Sequence, residues 1–400
     1  MTHPSTLARP ALTEPGDRAH PRPRAARGLP TAAVTALGLF AAARLTGVLV
    51  LAATAWATGK HPLVLLARSW DSIWYLGIAA HGYGRTLYFQ PTVVHSDLAF
   101  FPLYPALVRT VTSLTPLNAG TAGLLVSWLA AAAAACGVYA IGSRLYGRAV
   151  ATLLVLLWGL LPHSVVLSMA YTEPVLTAFA AWSLYAVLSE RWLWAGSLAA
   201  LAGLSRPNGF AVAAAVLAAA AHEVWRRRGR KVPHRLWTGV ALAPLGWVGF
   251  VLWVGRRKGD PLRGYFEVQR LWGSRFDFGA GSLRFVKHLL LYGDRLVFPV
   301  TLMIVTAAVL LFALLIADRA PLPLLVYSGV LLLIALGGSG FFESKPRFLL
   351  PAFPLLLPLA RALARTARAR PWHATVVVGA LAGLSFAYGA YLVVIAHTPL

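Results

Sequence analysis

Long apolar runs recur along the whole 400-residue chain, at about 31–57, 118–143, 148–162, 165–189, 192–206, 207–222, 236–255, 296–317, 321–338, 346–361 and 372–396. Lipid offers no hydrogen bonds to an exposed backbone, so runs of this kind cross a bilayer only as helices or closed barrels. These runs have no strand alternation, although several are shorter than the ~20 residues that a spanning helix needs. The expected fold is therefore all-α, a polytopic transmembrane helix bundle of about eleven spans. Only 12% of residues are charged, against about 25% in soluble domains. That excludes an ordinary soluble enzyme, a disordered chain and a collagen-like fibre. A lone cysteine, Cys136, excludes a disulfide framework and any cysteine-built metal site.

The basic excess gives a net charge of +23. In a soluble protein this would suggest nucleic acid as a partner. Here the cations sit mostly between apolar runs, where they hold loops at an anionic cytoplasmic face, so the lipid bilayer is the expected partner. Residues 1–30 are rich in Pro and Arg and read as a disordered basic cytoplasmic tail. With the first apolar run they form an uncleaved signal anchor. Residues 31–400 read as a single transmembrane domain, and the pair 192–206 and 207–222 is either a tight hairpin or one broken helix. The basic loops 222–235 and 361–371 fall on the cytoplasmic side in this count. The first outer loop, 58–117, and a second, 256–295, then face outward, the latter despite its basic residues. The Pro-broken segment 98–112 is expected along the outer interface. Arg44, inside the first span, should face the bundle and meet a carbonyl or an acid.

Thirteen carboxylates serve the whole chain, so each candidate general base can be weighed. The most informative stretch runs from Arg68 to Tyr83. Ser69 can cap a short helix that stops at Gly82. Asp71 falls in its first turn, where the helix dipole favours a negative charge. Trp74, Tyr75 and Ile78 follow at i+3, i+4 and i+7 and share its face. An acid beside aromatic rings at a membrane surface is either a functional site or an interfacial helix with an aromatic belt. No transporter-like repeat of interrupted helices is visible, which weighs against a carrier or flippase for a lipid-linked sugar, the main alternative class.

The motif Trp70-Asp71-Ser72-x-Trp74-Tyr75-Leu76-x-Ile78-Ala79-x-x-Gly82-Tyr83 resembles the first-loop motif of the PIG-V-like mannosyltransferases, of the GT-C superfamily. Further boxes resemble that family in the same order: Ala99-Phe100-Phe101-Pro102, Ala170-Tyr171-Thr172-Glu173, Ser205-Arg206-Pro207-Asn208-Gly209, Gly259-Asp260-Pro261 with Gln269 and Trp272, and Lys345-Pro346-Arg347-Phe348. The resemblance implies a polyprenyl- or dolichyl-phosphate-sugar donor, an extracytoplasmic active site and inversion at the anomeric carbon. It places Asp71 at the family's acid position. Mannose transfer itself demands a base for the acceptor hydroxyl and cations for the leaving phosphate.

Asp97, which departs from the family pattern, is a second acid near the acceptor or an interfacial polar residue. Glu173 should pair with Arg206, either ordering a pocket, with Arg206 on phosphate or sugar, or as a structural pair. Lys345 and Arg347 suit a lipid-phosphate clamp or interfacial anchoring. Arg270, beside Trp272, is a weaker candidate for the same work. Trp70, Trp74, Tyr75, His81 and Tyr171 are candidate sugar contacts. No nucleotide-binding glycine loop, Asp-x-Asp pair or His-x-x-x-His spacing occurs. A lipid-linked donor, a glycolipid or glycan acceptor, no cofactor and no obligatory metal are therefore expected.

Overall fold

The computed structural model describes residues 29–90, 93–293 and 295–396. The expectation for the tail 1–30 lies outside the described residues, except that Leu29 and Pro30 open the first helix. That helix, α1 (Leu29–Ala57), leads into α2 (Pro62–Ala67), α3 (Asp71–His81), a hairpin of β1 (Thr86–Gln90) and β2 (Val93–Ser96), and α4 (Leu103–Leu114). Next come α5 (Ala119–Tyr146), α6 (Arg148–Gly159), α7 (Glu173–Leu188), α8 (Trp192–Gly203), α9 (Phe210–Arg227), α10 (His234–Leu242) and α11 (Leu245–Arg257). A second loop region holds α12 (Gly264–Leu271), the short strand β3 (Arg275–Phe276) and α13 (Ala280–Tyr292). The chain finishes with α14 (Val297–Ala317), α15 (Leu322–Gly337), β4 (Gly338–Ser339), α16 (Lys345–Leu349), α17 (Leu357–Ala369) and α18 (Pro371–Ala390).

The all-α architecture is as expected, but the count of eleven spans is corrected. Among the described residues, six helices are long and apolar enough to cross a membrane, or seven if a bent pair counts as one span. The reason is length. The helices α6 and α8 have 12 residues each and α7 and α15 have 16, which is roughly 18–24 Å of rise against a hydrocarbon core of about 30 Å. Their apolar runs are cut by breakers such as Pro162, Pro174 and Pro207. The bent pair, Phe342–Leu349 with Phe353–Ala369, turns by 77° at Pro351 and Pro354, which lack the amide donors a continuous helix needs.

Two apolar clusters organise the interior. The larger joins α1, α5 to α9 and α14 to α18. It includes a close crossing of α8 on α10, where a Cβ on Gly196 or Gly239 would run into the backbone of the opposing helix. Arg44 faces this bundle as expected, donating to the carbonyl of Gly159 at 2.7 Å and to the hydroxyls of Ser164 and Ser168. The smaller cluster packs Tyr75, Phe100, Phe101, Tyr104, Phe250 and Tyr265 beneath the first loop. It fixes α3 and α4 against α5, α11 and α12. Pairing of β3 with β4, Arg275 opposite Ser339, ties the second loop to the turn that precedes α16. These ties bring the N-terminal end of α3, the start of α7, the Arg206 turn and α16 to one place.

Candidate active site

Asp71 opens α3 and is half-buried, with a side chain 22% exposed. The cap differs from expectation. Trp70 precedes the helix with φ 48°, a costly conformation for a residue with a Cβ. Ser69 instead turns its hydroxyl back to the Leu65 carbonyl at 2.6 Å. The other end is as read, with Gly82 at φ 77° stopping the helix. Arg347, carried on α16, donates from Nη1 to Asp71 Oδ2 at 2.7 Å, and its Nε lies 3.3 Å from Glu173 Oε1. Arg206 pairs with the same Glu173 oxygen and donates to the Thr172 hydroxyl at 2.9 Å. Glu173 is fully buried. Two carboxylates and two guanidiniums thus balance in one chain, Asp71–Arg347–Glu173–Arg206. Such a buried set holds its geometry because losing any one member strands a charge.

Aromatic rings wall the cleft above this chain. The Arg347 guanidinium lies 5.4 Å from the Tyr171 ring and 5.5 Å from the Phe348 ring. Trp74 stacks on Phe100 and meets Trp272 edge-on. His95 stacks on Trp272 at 3.9 Å with the rings nearly parallel. Burial pushes the Tyr75 and Tyr83 hydroxyls well above the usual tyrosine range and moves the His95 imidazole below its ordinary value. The cleft has a volume of about 460 Å³. Trp70, Asp71, Trp74 and Tyr75 of the first motif line it, and so do Phe100 and Phe101, Arg206, Gln269 with Trp272, and Arg347 with Phe348. Five of the six sequence boxes thus lend side chains to its wall, and the sixth supplies Glu173 beneath it.

A solved Archaeoglobus fulgidus oligosaccharyltransferase in its apo form matches with a TM-score of 0.51 at 13% identity, over 91% of this chain and 56% of that one. The structure of the same archaeal enzyme, AglB, with an inhibitory peptide and a dolichol-phosphate matches to the same degree. The chain has a GT-C-like fold. It spans only 56% of the length of that enzyme. Residues 95–253, under half of the chain, match the dolichyl-phosphate-mannose-protein mannosyltransferase family. That stretch includes Glu173 and Arg206 and leaves out Asp71 and Arg347. No curated protein matches the chain by sequence.

Within this GT-C-like frame not every expected site residue reaches the cleft. Tyr171 sits behind it, with its hydroxyl 3.4 Å from the Asp71 amide. Lys345 is buried and points away, donating to the carbonyls of Ala335 and Gly338 at the end of α15. Arg270 is exposed and engaged by Glu267 at 2.8 Å. Asp97 is buried beside the main cleft, where its Oδ2 accepts from the amides of Gly84 and Arg85, both at 2.8 Å. His81 is exposed and lines a smaller cavity with Asp97. Arg85 and Phe348 line the main cleft without having been singled out from sequence, and so do His95 and Gln269. Of these, Phe348 and Gln269 carried a sequence signal, each through its place in a family box. Among the described residues no group of three His, Cys, Asp or Glu converges to hold a metal.

Proposed function

We propose that the chain is an integral-membrane glycosyltransferase that moves mannose from a polyprenyl-phosphate-mannose donor to a hydroxyl of a glycolipid or glycan, with inversion. The observation that carries this reading is the convergence of motifs separated by more than 270 positions, from Trp70 to Phe348, on one aromatic cleft with Asp71 at its wall. The GT-C-like fold supports the reaction class, since the archaeal enzyme of the same fold is an oligosaccharyltransferase whose structure holds a dolichol-phosphate. The order of the boxes supports the PIG-V-like assignment, and the partial family match supports mannose. The basic loops support a cytoplasmic N-terminus and an extracytoplasmic cleft.

In this mechanism Asp71 takes the proton of the acceptor hydroxyl. The acceptor oxygen forms its bond to the anomeric carbon while the carbon–oxygen bond to phosphate breaks, and polyprenyl phosphate leaves with the electron pair. A β-linked donor then gives an α-mannoside. Arg347 fixes the carboxylate through Oδ2, and Glu173 and Arg206 fix Arg347. The aromatic walls exclude water and offer faces to the sugar. The test is transfer from radiolabelled polyprenyl-phosphate mannose to membrane-extract acceptors. Labelled glycoside in the presence of wild-type chain is the expected result. Movement of the lipid-linked sugar across the bilayer with no glycoside formed would favour the carrier class instead.

A further inference from the structure

The polyprenyl phosphate departs from the sugar as an anion, so a cation must meet it as the bond breaks. The cations nearest the base are poorly placed for that. Arg347 touches Asp71 itself, at 2.7 Å, and inverting displacement puts base and leaving group on opposite faces of the anomeric carbon. With the acceptor oxygen within hydrogen-bond reach of the base and at near-attack distance from carbon, the phosphorus lies roughly 7 Å from the carboxylate. Arg347 and Arg206 are also balanced by Asp71 and Glu173. Lys345 is engaged by carbonyls and Arg270 by Glu267.

Arg85 differs from all of these. It lines the same cleft as Asp71, and its guanidinium carbon stands 5.3 Å from the Trp74 ring centroid. Its Nη1 lies 4.0 Å from where a Cβ on Gly77 would be. Gly77 is six helical residues beyond Asp71, about 9 Å of rise along α3, which suits the far side of a bound sugar. Among the described residues no carboxylate lies within ion-pair distance of this guanidinium. Its backbone is pinned, because Asp97 Oδ2 accepts from the Gly84 and Arg85 amides and the Asp97 amide donates to the Arg85 carbonyl at 3.1 Å. Trp74 below and the hairpin that starts at Thr86 complete the mount. Resting on the lipid-phosphate-donor reading above, we propose that Arg85 binds the donor phosphate and that Asp97 is its positioning residue.

The test uses the full chain in lipid nanodiscs with two probes, a sugar-free polyprenyl phosphate and the neutral polyprenol of the same length. Wild type should prefer the phosphate. Arg85→Gln should lose that preference, raise the donor KM about tenfold or more and lower kcat as well, because the cation also meets the charge that builds on the leaving phosphate. Arg85→Lys, a point charge in place of a fork, should recover part of it. Asp97→Ala should mimic Arg85→Gln, whereas Asp97→Asn, which keeps an acceptor oxygen, should be rescued. Arg270→Ala, outside the cleft, should match wild type and controls for general loss of loop charge. An Arg85→Gln protein that keeps the wild-type preference and KM overturns the assignment and leaves the donor reading standing. A wild-type protein that binds both lipids equally overturns the donor reading, and the Arg85 assignment with it.

Discussion

Arg347 Nη1 donates to Asp71 Oδ2 at 2.7 Å, joining residues 276 positions apart in the chain. The same guanidinium reaches Glu173 on a third element, so one side chain ties α3, α7 and α16 together. The acid that opens α3 is thereby held by the tertiary fold and not by a local cap. Substitutions along this chain of charges therefore separate chemistry from architecture.

Asp71→Asn keeps the shape of the side chain and its contact with Arg347 but removes the proton acceptor. Turnover should fall by about 10²–10⁴-fold, the range for loss of a positioned base, while donor binding stays at the wild-type level. Single-turnover transfer alongside equilibrium donor binding checks both halves. Turnover near the wild-type rate would move the base to another residue.

Glu173→Gln should damage stability more than recognition. It leaves Arg206 and Arg347 buried with one carboxylate between them, and breaking such a set costs about 3–5 kcal/mol. Thermal unfolding in detergent should show the loss. Adding Arg206→Met should recover part of it, because the two residues share one interaction and their effects do not sum. Strictly additive losses would mean that the pair contributes nothing beyond its members.

The helices were largely legible in the sequence because apolar runs and breakers are local signals. Whether a run crosses the membrane was not. Pro162 and Pro174 shorten α6 and α7 below a bilayer's thickness without lowering the apolar content of their windows. The acid, its aromatic neighbours and the Glu173–Arg206 pair were also readable, since α3 spacing and the scarcity of carboxylates pointed to them. Lys345 and Arg347 looked equivalent in sequence, two residues apart. They diverge because two helical steps rotate the side chain by about 200°, so α16 aims Arg347 into the cleft and Lys345 onto the end of α15. Arg85 gave no signal because its role depends on Gly77 and Trp74 of α3 folding back beneath it, a relationship no local pattern carries.

Lys345→Met tests that divergence. The ammonium satisfies carbonyls of Ala335 and Gly338 that a helix end leaves open. Losing hydrogen bonds from a charged donor costs about 1.5–3 kcal/mol. The variant should unfold at a lower temperature with its donor KM unchanged. A raised KM at unchanged stability would return Lys345 to the phosphate site.

His95 offers a pH signature. Burial against Trp272 and Phe89 lowers its pKa from the ordinary 6.5, so the folded protein favours the neutral ring. Between the folded pKa and 6.5 the unfolded chain binds more protons than the folded one, and stability rises with pH across that window. As pH falls below about 6.5 the wild type should therefore lose stability that His95→Phe, which keeps a ring on Trp272, retains. The difference between the two melting profiles isolates the imidazole from the other titrating groups, and NMR titration of the ring should give a midpoint below 6.5. Because the ring is only partly buried, the difference should be small. A midpoint above 6.5 would mean that an anion faces His95 in solution, and the neutral stacked ring would have to be abandoned.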